Sequence, residues 1–293
     1  MPDVNKVLGH LELRQQNLYR SLAAECLGTL LLNFFGVMSC MKLADAKNDL
    51  VLVSLTFGLV VFAVVQVFGH VSGAHVNPAV TAGMLVTGRT PVIRGVLYII
   101  AQCIGAIVGT GLVKAVTPEK FAAVLGNTKL SDKGVTSAQG FGVEFLLGFV
   151  LVIVVFAVCD PHRPECKYAA PLAIGLTVAL GHLATIDYTG SSMNPARSLG
   201  SAVLTNDFEH HWVYWLGPCA GAMAAGLLYT FVFAAPVPTQ SQTTYTVVST
   251  SDKEVRSPRP KGPAGWSCPS HVSGHVSGHV CQGTRARPPG TVG

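Results

Sequence analysis

The tripeptide Asn-Pro-Ala occurs twice in this chain, at residues 77–79 and again 117 positions later at residues 194–196. Other residues recur at offsets of 116 to 119, namely Gly58 and Gly175, Gly73 and Gly190, Cys103 and Cys219, and Glu25 and Glu144. Similarity at a fixed spacing indicates internal structural repeats. The sequence therefore predicts two equivalent halves, and this duplication restricts the possible folds more than any other feature.

The composition places these halves in a membrane. Only 12% of the 293 residues are charged, against roughly 25% in a typical soluble domain. Six apolar runs approach the length of about 20 residues that a membrane-spanning helix needs, and they are Leu22–Met41, Leu50–Phe68, Val92–Val116, Phe141–Cys159, Ala169–Thr185 and Val213–Ala235. They show no period-2 alternation, so helices are favoured over a barrel.

Each half contributes three spans. Because three is odd, the second half enters the membrane inverted relative to the first, and such repeats place their functional site near the midplane where they meet. Two short apolar stretches, Val80–Val86 and Leu199–Leu204, follow the Asn-Pro-Ala units and cannot span a bilayer. Proline suits the first turn of a helix and asparagine caps it, which predicts two re-entrant half-helices. The preceding residues 72–75 and 189–192 are expected to be extended. The predicted fold class is an all-α membrane protein with six transmembrane helices, two re-entrant half-helices and an inverted internal repeat.

The residues after position 235 differ in composition, being rich in Pro, Ser, Thr, Gly and charged residues, which is typical of disorder. Three histidines in this segment, His271, His275 and His279, are flanked by Cys268 and Cys281. Zinc or copper binding is one interpretation of this pattern. The spacing matches no closed zinc motif, so a low-complexity repeat is favoured and no metal is expected.

The segments around the two tripeptides carry a family resemblance. Residues 70–83 (HVSGAHVNPAVTAG) and 187–200 (DYTGSSMNPARSLG) closely resemble the two signature loops of the aquaporin family, in its water-selective animal branch, and the match extends over roughly residues 20–235. The resemblance implies a passive water channel, driven by osmotic gradients, that excludes protons and ions. It also implies a homotetramer with one pore in each subunit, in the cell membrane. Water and the lipid bilayer are the other expected partners; no cofactor, nucleic acid or enzymatic activity is expected.

The expected domains follow from this assignment. Residues 1–21 form a cytoplasmic N-terminal segment, residues 22–235 the channel domain, and residues 236–293 a disordered cytoplasmic tail. The channel domain divides into repeats of about 22–116 and 139–235. Lysines and arginines number seven on each side of the predicted spans, so only the basic tail and the resemblance favour cytoplasmic termini.

The Asn-Pro-Ala units are expected to form a barrier at the midplane. Each half-helix directs the positive end of its dipole there, equivalent to roughly half a charge, and Asn77 and Asn194 would turn side-chain N–H groups into the lumen. A water that accepts from both cannot continue a proton-conducting chain. The motif residues are Asn77, Pro78, Ala79, Asn194, Pro195 and Ala196. Backbone carbonyls expected to line the pore belong to Gly73, Ala74, His75, Val76, Gly190, Ser191, Ser192 and Met193.

Arg197 has no counterpart in the first half, where Val80 occupies the equivalent position. An arginine inside a bilayer is costly and normally functional. The resemblance places a selectivity filter at Phe57, His182, Ser191 and Arg197. Arg197 and His182 would offer donors to water, and Phe57 would narrow the opposite wall. Ordinary interior packing remains the alternative for His182 and Phe57.

Three residues bear on the choice of permeant and inhibitor. Glycerol channels of this family usually have a small residue at the position of His182 and an aspartate at that of Ser198, so the sequence favours water. Ser191 stands where many animal water channels have the cysteine that mercurials attack. Mercurials are therefore expected to block this protein weakly.

Glu25 and Glu144 lie inside apolar runs. An unsatisfied carboxylate there costs about 2.5–3.5 kcal/mol, so both are expected to accept backbone N–H groups of the re-entrant loops. The alternative is that they reach the interface from helix ends. Gln102 is a candidate for a similar supporting part.

Other functions remain open at this stage. A channel for glycerol or urea would keep the same fold. An adhesion protein would be expected to have long external loops or an adhesive motif, and neither is present. An alternating-access transporter ordinarily needs acidic residues at a substrate or ion site, whereas the intramembrane carboxylates here repeat as loop supports.

Overall fold

The structure is a computed structural model and describes residues 7–41 and 49–237. Eight α-helices occur in these ranges: α1 (Gln16–Ser39), α2 (Leu50–Ser72), α3 (Pro78–Val86), α4 (Val92–Val116), α5 (Ser137–Val158), α6 (Ala170–Thr189), α7 (Pro195–Thr205) and α8 (Val213–Leu228). Six of them are long and apolar enough to cross a membrane. The predicted fold class, with six spans and two half-helices, is confirmed. Of the predicted tail, residues 236–293, only residues 236 and 237 are described, and the histidine-rich stretch lies outside the described residues.

Helix boundaries follow local chemistry where the sequence offers it. The Asp49 side chain accepts hydrogen bonds from the N–H groups of Val51 and Leu52 and so caps α2. Thr136 and Gln139 form a capping box at the start of α5. The first span was predicted to begin at residue 22, whereas α1 begins at Gln16. The start was placed too late because the first turn of α1 is polar and gives no apolar signal. At the other end, α8 continues into a π-helical turn over Tyr229–Phe233.

The two half-helices begin at the proline of each tripeptide. Asn77 accepts a hydrogen bond from the N–H of Ala79, and Asn194 accepts from those of Ala196 and Arg197. Each asparagine therefore satisfies N–H groups that a helix start leaves unpaired. The helices α3 and α7 have nine and eleven residues, which at 1.5 Å per residue makes each far shorter than a bilayer.

The segments before the half-helices differ from the expected extended form. Ser72 and Thr189 are the last residues of α2 and α6, and the glycines that follow, Gly73 and Gly190, have φ of 92° and 76°. Positive φ values then recur at non-glycine positions, namely Ala74, Val76, Ser191 and Met193. Such left-handed residues are unfavourable unless surrounding contacts hold them. The backbone of residues 73–76 and 190–193 is irregular, and the N–H groups of His75, Val76, Ser192 and Met193 bind buried carboxylates.

The packing repeats the inverted symmetry. Helix α1 packs along α4 in the first half, and α5 packs along α8 in the second, while α2 and α6 pack against each other across the halves. Each half-helix packs on a spanning helix of the other half: α3 of the first half packs on α8, and α7 of the second half packs on α4. Glycines permit these approaches, since a Cβ at Gly105 would overlap the Cys26 carbonyl and one at Gly221 would overlap the Phe145 carbonyl. The half-helices are thereby clamped in the region where the two repeats meet.

Candidate functional site

A cavity of about 860 Å³ runs between the two repeats. Its walls are largely aliphatic, with side chains of α2, α5 and α6 among them. The wall also includes residues of the two tripeptide segments and of the predicted filter, among them Val76, Met193 and Phe57. The side chains of Asn77, Asn194, His182 and Arg197 place polar groups in it. The structure therefore brings most of the predicted site residues to one cavity.

The two asparagines reach across the interface between the repeats. Asn77 Nδ2 donates to the carbonyl oxygen of Met193 at 2.9 Å, and Asn194 Nδ2 donates to that of Val76 at 2.8 Å. Their side-chain oxygens face the backbone N–H groups of their own half-helices. An amide nitrogen carries two hydrogens, so each asparagine keeps one N–H that is not used by these contacts. Both asparagines line the cavity.

Two buried carboxylates hold the re-entrant segments from behind. Glu25 Oε1 accepts from the Ser72 hydroxyl at 2.6 Å and from the His75 N–H at 2.9 Å. Its Oε2 accepts from the Val76 N–H at 2.6 Å and from Gln102 Nε2 at 2.7 Å. Because four donors surround it, Glu25 acts only as an acceptor, as an ionised carboxylate does. These contacts hold the left-handed residues among 73–76 in place.

Glu144 has the equivalent position in the second half. Its Oε1 accepts from the Thr189 hydroxyl at 2.7 Å and from the Ser192 N–H at 2.9 Å, and its Oε2 accepts from the Met193 N–H at 2.9 Å. No glutamine supports it, because Pro218 stands where the repeat would place Gln102. Each carboxylate is fully buried, so neither reaches the interface.

Arg197 lines the cavity and is buried, with 3% of its surface exposed. Its Nη1 donates to the Gly126 carbonyl at 2.7 Å, and its Nε has no hydrogen-bond partner in the described protein. Its Cζ is 5.0 Å from the centre of the Phe57 ring. No ion pair to a carboxylate engages this guanidinium among the described residues. The free donors of Arg197 are therefore available to a small molecule in the lumen.

His182 stacks on Phe57, with ring centroids 4.4 Å apart. Its Nδ1 lies 3.0 Å from the Val178 carbonyl oxygen, whereas its buried Nε2 has no partner. A carbonyl can only accept, so Nδ1 carries the hydrogen and Nε2 of the neutral ring is an acceptor. This differs from the expectation that His182 donates to water, and it leaves Arg197 as the donor and His182 as the acceptor.

Not every predicted residue lines the cavity. The segment 73–76 does so in full, together with Ser192 and Met193. Gly190 and Ser191 do not belong to the lining, and Ser191 is fully buried, accepting a hydrogen bond from the Thr185 hydroxyl at 3.1 Å. The positions of Gly190 and Ser191 in the pore wall stay predictions.

Sequence reasoning missed Gly126 and the polar groups behind α7. Thr128 donates to the Ser198 hydroxyl at 2.7 Å, and Ser198 lies 2.6 Å from the hydroxyl of Ser192. Asn33 donates to the Arg197 carbonyl oxygen at 3.3 Å. The sequence around Gly126 gave no signal except the glycine itself. Nothing in the neighbouring residues indicated that its carbonyl would bind Arg197. Among residues 7–41 and 49–237, no three metal-ligating side chains come together.

Comparison with known proteins identifies this arrangement. A family model described as major intrinsic protein matches residues 12–229. Aquaporin-4 of Mus musculus is 45% identical over 226 residues, covering 76% of this chain and 70% of its own. Aquaporin-1 of Homo sapiens is 44% identical over 230 residues, covering 76% and 85%. The X-ray structure of the aquaglyceroporin from Plasmodium falciparum matches with a TM-score of 0.67 and 26% identity, covering 73% of this chain and 96% of that one. The chain therefore belongs to the major intrinsic protein family, within the water-selective animal branch of the aquaporins.

Proposed function

We propose that this chain is a passive water channel whose cavity conducts water in single file and excludes protons and ions. One observation carries the proposal: side-chain amides from two opposed half-helices meet at the same cavity, each bound to the carbonyl of the opposite segment. Channel function, rather than catalysis, is also what family membership implies.

The asparagines orient water at the centre of the pore. Each has one N–H left for the lumen, and each stands at the positive end of a half-helix dipole. A water between them accepts with its oxygen, so its hydrogens point away toward both mouths. Its neighbours then cannot pass a proton through it. The same two dipoles repel cations.

The filter combines a cation, an acceptor and an aromatic wall. Arg197 supplies free N–H groups, and His182 supplies the unpartnered Nε2. Phe57 contacts both side chains, which limits how far the three can separate. One water molecule can accept a hydrogen bond from Arg197 and donate one to His182 at the same time, whereas the positive charge of Arg197 repels a cation. Ser191 belongs to the proposed filter through the family resemblance alone.

A glycerol or urea channel is the second candidate, favoured by the similarity to the Plasmodium falciparum aquaglyceroporin. Two residues argue against it. His182 is bulkier than the small residue that is typical of glycerol channels at this position, and Ser198 is uncharged where those channels usually have an aspartate. The identities of 45% and 44% to aquaporin-4 and aquaporin-1 also favour water.

Stopped-flow shrinkage of proteoliposomes tests the proposal directly. The wild-type protein is expected to speed osmotic water efflux and to leave glycerol and urea entry at the level of empty liposomes. Arg197→Val and His182→Ala are each expected to admit urea, because each removes one side of the constriction. Absence of water flux in the wild type would contradict the channel, and unchanged solute exclusion in both variants would contradict the filter.

The assembly and location are proposals of the same kind. A homotetramer in the plasma membrane with both termini cytoplasmic is supported by family membership and by the six apolar spans. Native mass spectrometry in detergent would report the subunit number. Protease or antibody access to tags at each terminus of intact cells would report the orientation, and a tag accessible from outside would overturn it.

A further inference from the structure

The segment that presents Gly126 to Arg197 is tied to α7 near its start and just beyond its end, where Asn127 Nδ2 also donates to the Asp207 carbonyl oxygen at 3.5 Å. Near the start of α7, the Thr128 hydroxyl donates to Ser198 at 2.7 Å. Just beyond its end, Lys129 forms an ion pair with Asp207. The segment and the half-helix are thus joined near both ends of α7.

The geometry of the segment makes the second fastening consequential. Leu125 and Gly126 are both left-handed, with φ of 43° and 57°. Leu125 is fully buried against Val37 and Val113, so the packing of its side chain holds this strained turn on one side. A leucine in this left-handed conformation is strained and persists only where its surroundings hold it. Release of the other side would allow the turn to relax and move the Gly126 carbonyl.

Asp207 is positioned to anchor that other side. Its Oδ2 contacts Lys129, its Oδ1 accepts from the Glu209 N–H at 3.3 Å, and its backbone N–H donates to the Ala202 carbonyl at 3.0 Å. The Lys129 ion pair lowers the pKa of the Asp207 carboxyl, which keeps it charged at neutral pH. The aspartate therefore belongs rigidly to the end of α7, the same helix that carries Arg197 at its start.

We propose that Lys129 and Asp207 are positioning residues of the selectivity filter, which act by holding the Gly126 carbonyl against Arg197. This proposal rests on the proposed filter, but the experiment below can contradict it while the filter itself is supported. It touches neither the cavity nor the permeant. If the pair is lost, Arg197 loses a fixed acceptor, its guanidinium samples more positions, and the filter admits larger solutes.

The expected effect is moderate, because the lysine and aspartate side chains are 52% and 26% exposed. Exposed pairs of this kind contribute enough to change an equilibrium by roughly two- to five-fold. Asp207→Asn and Lys129→Met are each expected to raise the ratio of urea to water permeability by about that factor. This ratio is measured on the same liposomes, so it does not depend on how much protein folds or inserts.

The decisive variant exchanges the charges, Lys129→Asp with Asp207→Lys, and should return the ratio to the wild-type value. Glu12→Gln is the control, since Glu12 pairs with Arg94 at 2.7 Å, is 23% exposed against 26% for Asp207, and lies far along the chain from the filter. Its ratio should equal that of the wild type. Single variants with a wild-type ratio would overturn the proposal, as would an exchange variant that fails to restore it. If Arg197→Val raises the ratio and the single variants Asp207→Asn and Lys129→Met do not, the result supports the filter and contradicts the positioning role of the pair.

Discussion

The buried carboxylate of Glu144 gives the sharpest test of how the re-entrant segment is held. In Glu144→Gln, the remaining carbonyl can keep the Thr189 hydroxyl and the Ser192 N–H, but the new NH₂ group then faces the Met193 N–H. One charge-assisted hydrogen bond is lost, worth about 1.5–3 kcal/mol. In Glu144→Ala, both backbone N–H groups are stranded, at about 1–3 kcal/mol each. The alanine variant should therefore be the less stable of the two.

Thermal unfolding in lipid nanodiscs measures this order. At about 2–4 °C per kcal/mol for a chain of this size, Glu144→Gln should lower the Tm by roughly 3–12 °C, and Glu144→Ala by more. Water flux per folded channel should also fall, because Ser192 and Met193 lead directly into Asn194. Glu119 is an exposed glutamate at the start of a short 3-10 helix, Glu119–Phe121, and Glu119→Gln serves as the control with an unchanged Tm. A Glu144→Gln protein with wild-type Tm and flux would refute the argument.

The first repeat supplies an internal comparison. Glu25 accepts four hydrogen bonds and Glu144 three, so a simple count makes Glu25→Gln the more harmful change. However, Gln102 Oε1 has no partner, and rotation of that amide would turn an acceptor toward the substituted NH₂ group. Glu25→Gln should then cost no more than Glu144→Gln. A clearly larger loss of Tm would show that Gln102 cannot rotate.

Three further outcomes are expected. Gly105→Ala should prevent assembly of the α1–α4 contact, because its Cβ would overlap the Cys26 carbonyl, whereas Gly111→Ala has open space and should behave as wild type in yield and Tm. Mercurials should inhibit water flux only weakly, since serine occupies position Ser191; strong block reversed by thiols would contradict this. The N–H of residue 235 and other donors lower the pKa of Asp160, so its stabilisation exists above the unfolded pKa of about 4 and is lost as pH falls through the lower folded value. Asp160→Asn should flatten the dependence of Tm on pH below about 4, and an equally steep dependence in that variant would exclude Asp160 as its source.

Local chemistry made much of the fold predictable. The half-helices were expected near Val80–Val86 and Leu199–Leu204 because an asparagine and a proline in sequence specify a helix start without help from distant residues. The spans were expected from length and apolarity alone. The ends of the spans were predicted less accurately. The first span, for example, extends back to Gln16, because a polar first turn continues a helix that packing stabilises.

Contacts between distant segments explain what was missed. The positive φ of Ala74 and Val76 depends on Glu25, about fifty residues earlier, and no local propensity favours alanine or valine in that conformation. The hydrogen on His182 Nδ1 depends on the carbonyl one helical turn away. The contact between Gly126 and Arg197 joins residues 71 positions apart. Each of these follows from tertiary geometry that a linear pattern does not contain.

The repeat also shows where the two halves diverge. At the offset of 117, Phe57 corresponds to Ile174, His182 to Val65, and Arg197 to Val80. All six side chains line the same cavity, so the positions related to the filter by the repeat form an aliphatic copy of it, with Ile174 from the second repeat and Val65 and Val80 from the first. The asparagines, by contrast, are identical in both halves. A barrier to protons must act equally from both sides of the membrane, and a symmetric pair of amides at the centre meets that requirement. Selection by size and charge needs only one narrow polar ring, and a second would slow water without adding exclusion. The apolar residues at the equivalent positions are therefore the expected result of confining the filter to one end of a symmetric pore.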